Sequence, residues 1–157
     1  MRRVYEYRRH LPHYQGDYKA IFITFSTHLR WILPDAARTI AVESCIWGNR
    51  SRYNLHAAVV MPDHVHLALT PLYEGDSCFS LVEIMQGIKS ASAHKINCSL
   101  NRTGQIWQRE SFDRVLRLEE SMHAKIEYIV QNPVRAGLVK VASDYPWLWV
   151  PGIVDRQ

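Results

Sequence analysis

Two short apolar runs that meet at Pro62-Asp63 constrain this fold more than any other feature. Residues 55–61 form the first run, and residues 65–69, where the apolar positions alternate, form the second. Pro-Asp between such runs is a turn signal, so two strands joined by a tight turn are predicted. Residues 19–27 place Ile21, Ile23 and Phe25 in alternation with Phe22, Thr24 and Ser26, the two-residue period of another strand. Pro34-Asp35 then opens a stretch to about Gly48 that reads as a helix starting near Asp35.

Downstream, residues 73–78 read as a loop. Leu81, Ile84, Met85, Ile88 and Ser92 recur at helical spacing, so an amphipathic helix reaching about Ile96 follows. Ile106-Trp107 and residues 112–116 read as two short strands. A last helix is expected from about Glu119 to Asn132, with acidic residues in its first turn and Pro133 as its stop. The order β, α, β, β, α, β, β, α favours an α+β sandwich of ferredoxin-like character, with helices packed on an antiparallel sheet, over a doubly wound parallel sheet.

A chain of 157 residues that is 47% apolar can bury a real core as one domain, and no repeat or Gly/Ser-rich linker divides it. The expectation is a single domain over residues 1–157, with residues 1–17 as a basic arm. No apolar stretch approaches the ~18 residues that span a bilayer, and Met1-Arg2-Arg3 does not lead into a secretory segment. A soluble cytoplasmic protein that makes no membrane contact is expected. Cys45, Cys78 and Cys98 lie far apart with no Cys-x-x-Cys pairing, which suggests neither a disulfide framework nor a cysteine zinc site.

Charge is concentrated at one end. Arg2, Arg3, Arg8, Arg9, Lys19 and Arg30 face only Glu6 and Asp17 in the first 30 residues, which therefore carry the whole formal charge of +4. Tyr5, Tyr7 and Tyr14 lie among these arginines, a pattern suited to phosphate contact with rings available for base stacking. A solvated terminus without a partner has the same composition.

Residues two apart in a strand share a face, so His64 and His66 present their imidazoles together while Val65, Leu67 and Leu69 face the other way. Two ligands of one metal fit that geometry, although a purely structural pair gives the same pattern. A hydrolase of the His-x-His-x-Asp type would need an acid where this chain has Ala68. His56, an isolated histidine in an apolar run, is left outside the site. In the last helix Met122, Ile126, Ile129 and Val130 form a stripe, and Tyr128 falls roughly 140° from its centre, where core filler is not expected. Asn132 follows Tyr128 by one turn, so the phenol and the amide project from neighbouring turns. A helix-stop role before Pro133 explains Asn132 equally well. Tyrosine, with a pKa near 10, needs a nearby positive charge or a metal on its target to act as a nucleophile.

Three stretches together carry a family resemblance: Val59-Val60-Met61-Pro62-Asp63-His64-Val65-His66-Leu67, Ile106-Trp107-Gln108-Arg109 through Phe112-Asp113-Arg114-Val115, and Tyr128-Ile129-Val130-Gln131-Asn132-Pro133-Val134-Arg135-Ala136-Gly137-Leu138-Val139. Over nearly its whole length the chain resembles the HUH single-tyrosine transposases of small bacterial insertion sequences, and within them the REP-associated tyrosine transposases. The resemblance implies an HUH endonuclease fold and a nucleoid-associated place of action. It makes His64 and His66 metal ligands, Tyr128 the nucleophile, and Asn132, or Gln131 beside it, a third polar ligand. Its cofactor would be a divalent metal, Mg²⁺ or Mn²⁺, and its partner single-stranded or hairpin DNA, bound by a monomer or homodimer.

The expected DNA path runs over Arg2, Arg3, Arg8 and Arg9, with Lys89, Arg109, Arg114 and Arg135 as further contacts. The expected reaction is cleavage and rejoining through a 5′-phosphotyrosine link. Two other classes compete: a domesticated protein that binds DNA repeats with little or no cleavage, and a metal-dependent phosphodiesterase that uses water and would not need Tyr128.

Overall fold

The computed structural model describes residues 20–117 and 119–152, and at 119 and 120 the backbone alone. Its centre is the predicted hairpin. β2 (Tyr53–Val60) turns through Pro62-Asp63 into β3 (His64–Pro71), with the Met61 amide donating to the His64 carbonyl at 2.8 Å. β1 (Ile21–Ser26) lies antiparallel along the other side of β3, pairing Thr24 with His66 and Ser26 with His64. Two edge strands, β6 (Phe112–Val115) beside β1 and β7 (Leu148–Trp149) beside β2, complete an antiparallel sheet in the order β6-β1-β3-β2-β7. The α+β architecture expected from the sequence is the one observed.

Both faces of the sheet are covered, which explains why β2 reads as a continuous apolar run. On one face Ile21, Ile23, Phe25, Val65, Leu67 and Leu69 pack against α1 (Asp35–Trp47) and α2 (Leu81–Leu100). On the other, Phe22, Ala57, Val59 and Ala68 meet Ile129 of α3 (Glu119–Arg135). A β-bulge at His56 switches the parity of β2, so that Leu55 and Ala58 serve the first face and Ala57 and Val59 the second. Ser80 and Glu83 close a capping box at the start of α2. Among the described residues no helix is long and apolar enough to cross a membrane.

Three local expectations are corrected. Residues 73–78 are a small hairpin, β4 (Tyr73–Glu74) with β5 (Ser77–Cys78), turned at Gly75, whose φ of +64° suits glycine. Ile106-Trp107 forms no strand. Trp107 makes one isolated bridge to Thr27, and its indole N–H donates to Ser92 Oγ at 2.9 Å, so the segment is apolar because it plugs the gap between sheet and α2. Pro133 does not stop the last helix. It is buried on the packing stripe, and α3 continues to Arg135. The end is a Schellman motif: Gly137, at φ +73°, donates to Val134 O at 3.0 Å, and Leu138 donates to Pro133 O at 2.9 Å.

Candidate active site

Strand alternation brings His64 and His66 to the sheet face that α3 covers. Their ring centroids lie 4.7 Å apart with the planes at 75°. Each ring is held at Nδ1: His64 by Asp63 Oδ1 at 2.7 Å, and His66 by Thr24 Oγ1 on β1, also at 2.7 Å. Phe22 stacks on His66 at 5.5 Å and an interplanar angle of 21°. Both rings thus carry an outer hydrogen-bond partner at Nδ1, the usual arrangement of a metal-binding histidine.

Electrostatics keep the His66 ring uncharged. Burial, with His64, Lys125 and Arg135 adding to it, pushes the His66 pKa down to about 3, so the ring is neutral at physiological pH. Burial alone would raise the Asp63 carboxyl, but the His64 hydrogen bond and Arg30 outweigh it and hold Asp63 below the usual carboxylate range. Among the described residues no three His, Cys, Asp or Glu side chains converge on a metal position. Two uncharged imidazole nitrogens are donors that suit a divalent ion and leave its charge unneutralised.

Tyr128 stands over this pair. Its side chain is 37% exposed, and its ring lies edge-on to His66 with centroids 5.4 Å apart and to Phe22 at 6.0 Å. Two cations flank the phenol ring: Lys125 Nζ at 5.1 Å and Arg135 Cζ at 4.3 Å from its centroid. Arg135 Nη2 also donates to the Tyr128 carbonyl at 2.7 Å, which ties the end of α3 back to the tyrosine turn. Asn132, one turn beyond Tyr128, and Gln131 beside it are both half-buried.

The structure thus brings His64, His66, Tyr128 and Arg135 together. Arg114 is exposed on β6, cross-strand from Phe22, and so lies on the same face. Lys89 and Arg109 do not join them: they line a groove of about 620 Å³ between α2 and residues 104–113, on the other face of the sheet. The Lys89 ammonium donates to the carbonyls of Gln108, Arg109 and Glu110 at 2.9, 3.3 and 3.5 Å, so it braces that loop. Arg2, Arg3, Arg8 and Arg9, with the rest of the basic arm, lie outside the described residues. His56 bonds Thr70 Oγ1 at 2.7 Å within the hairpin, away from the site's chemistry. Sequence reading missed Thr24, Asp63 and Lys125. Lys125 was findable as a cation three residues before Tyr128, and Asp63 as the neighbour of His64, whereas Thr24 is joined to His66 only by strand pairing.

Residues 14–132 match the family described as "Transposase IS200 like". The chain is 35% identical over 95 residues to an Escherichia coli (strain K12) protein named REP-associated tyrosine transposase, a match covering 60% of this chain and 53% of that protein. It is 29% identical over 98 residues to a Haemophilus influenzae relative, covering 58% of this chain and 55% of the relative. The match thus spans about half the length of these curated relatives. A solved structure of a REP-associated tyrosine transposase bound to a REP hairpin superposes with a TM-score of 0.68 at 28% identity, covering 84% of this chain and 76% of that one.

Proposed function

The chain belongs to the IS200-like transposase family, and from that membership we propose that it cuts and rejoins single-stranded DNA beside a hairpin or repeat, through a 5′-phosphotyrosine link at Tyr128. One observation carries the reading: the Tyr128 ring lies against His66 of the His64/His66 pair, within one chain. That placement supports a site completed by a single subunit, with a monomer or a homodimer as the acting form. The relatives' names and the hairpin in the solved relative support the DNA class. The protein would act on the nucleoid in the cytoplasm, as one domain whose residues 1–17 form a DNA-binding arm.

His64 and His66 would hold Mg²⁺ or Mn²⁺, with Asn132 or Gln131 as a third donor, and the ion would polarise a non-bridging oxygen of the scissile phosphate. Lys125 and Arg135, close to the phenol ring, stabilise negative charge on Tyr128 as its oxygen approaches phosphorus. The Tyr128 oxygen forms a bond to phosphorus while the bond to the 3′ oxygen breaks, and the phenol proton is made up on the departing 3′-OH through solvent. One phosphodiester replaces another, so a second 3′-OH can attack the phosphotyrosine and return the phenol without ATP. Arg114 and Arg135 line the approach on this face.

The test is a denaturing gel of the protein and Tyr128→Phe with labelled single-stranded hairpin DNAs in Mg²⁺, Mn²⁺ or EDTA. A metal-dependent covalent adduct, lost in the variant, is expected. Binding without an adduct would instead make this a repeat-binding module, and cutting that survives Tyr128→Phe would make it a water-using phosphodiesterase.

A further inference from the structure

The turn that follows β1 is strained and is fastened beside the histidines. Leu29 and Arg30 both adopt left-handed backbone, at φ 54° and 55°, although both carry a Cβ. Such a conformation persists only where its surroundings enforce it. Here the enforcement is visible. Thr27, fully buried, donates its amide to Asp63 O at 2.9 Å and its hydroxyl to Trp31 O at 2.8 Å, and the Leu33 amide donates to Pro62 O at 2.7 Å. The turn is thereby bolted to the β2–β3 corner. At its end Arg30 Nε donates to Asp63 Oδ2 at 3.0 Å and Nη1 donates to Ser26 Oγ at 2.7 Å.

Asp63 is therefore shared. One carboxylate oxygen accepts from Arg30, and the other, Oδ1, meets His64 Nδ1 at 2.7 Å. A carboxylate oxygen accepts, so His64 Nδ1 is the donor of this bond, and in the neutral ring Nε2 then carries the lone pair. The partner of His66 is different: the Thr24 hydroxyl can donate or accept and dictates no tautomer.

We propose that Arg30 and Asp63 are positioning residues that fix His64 in its Nδ1–H tautomer, with the strained Leu29–Arg30 turn holding the guanidinium in place. This rests on the reading of His64 as a metal ligand. Arg30 holds the carboxylate in one rotamer, and the carboxylate fixes the ring's orientation and proton. Without the guanidinium, Asp63 can rotate away and His64 samples its other tautomer, in which Nε2 carries the proton and cannot bind.

The test uses the full chain, free of DNA. Long-range ¹H–¹⁵N correlation spectra of the imidazoles at pH 8, without metal, should show wild-type His64 as the Nδ1–H tautomer. Asp63→Ala and Arg30→Gln should mix the tautomers and weaken Mn²⁺ binding, followed by electron paramagnetic resonance, by about tenfold. Asp63→Asn, whose amide oxygen still accepts, should recover most of both. Amide spectra of each variant report its folding, and the wild-type tautomer needs no variant at all. A wild-type His64 protonated on Nε2 would overturn the proposal, as would folded Arg30→Gln with unchanged tautomer and Mn²⁺ affinity. Neither readout needs turnover, so a failed adduct test would sink the transposase reading while leaving this measurement to stand or fall by itself.

Discussion

His66 shows how one residue ties stability to the site. Its neutral form is favoured by burial in the fold, whereas in the unfolded chain it titrates near its ordinary value of 6.5. As pH falls, the unfolded state takes up the proton first, so this contribution is complete above about 6.5 and is lost down to about 3. His56, also lowered by burial, acts with the same sign. Urea denaturation should show roughly 2 kcal/mol less stability at pH 5 than at pH 7.5 from His66 alone, and His66→Gln should flatten that dependence. A slope unchanged by the substitution would place the acid sensitivity elsewhere. Lys89 yields a second prediction. Because its ammonium holds three carbonyls of residues 108–110, Lys89→Met should lower stability by about 1–3 kcal/mol. Hydrogen exchange of that loop should quicken while DNA affinity stays within about twofold; a large affinity loss would restore Lys89 as a phosphate contact.

At the scale of elements, the proposed chemistry depends on how α3 is seated. Met122, Ile126 and fully buried Ile129 press it onto Phe22, Ala57 and Val59, and that seating sets Tyr128 against His66. Ile129→Ala should cost about 2–5 kcal/mol in denaturant melts and reduce adduct formation more than DNA binding. Equal loss of both would mean that the helix does not register the tyrosine. Much of this was legible beforehand, because a two-residue period fixes which side of β3 bears His64 and His66, and because the helical stripe excludes Tyr128. The end of α3 misled, since Pro133 looks like a stop while Ala136-Gly137-Leu138 carries the Schellman signal. Ile106-Trp107 misled for another reason: a two-residue apolar plug and a short strand have the same composition, and only the contact of Trp107 with Ser92 on α2 separates them. Thr24 was invisible because its contact with His66 spans 42 residues.

For the whole molecule, the sheet separates two buried clusters, and the candidate site lies on only one side. One face packs against α1 and α2 and bears the groove beside Lys89. The other carries α3, the histidine pair, and the exposed Arg114 and Arg135. The described residues hold only part of the chain's excess positive charge, because the first 30 positions carry the entire formal +4. If Arg2, Arg3, Arg8 and Arg9 each neutralise a phosphate, every contact adds about 0.7 to the slope of log affinity against log salt for a single strand. Replacing all four with alanine should then shallow that slope by up to about 3. Affinity should fall most at low salt, and nearly alike for cognate and unrelated hairpins, because phosphate contacts carry no sequence. Fluorescence anisotropy from 50 to 300 mM KCl measures both quantities. An unchanged slope would make the arm a solvated terminus and move the DNA path entirely onto the α3 face; a loss confined to the cognate hairpin would mean that the arm reads bases.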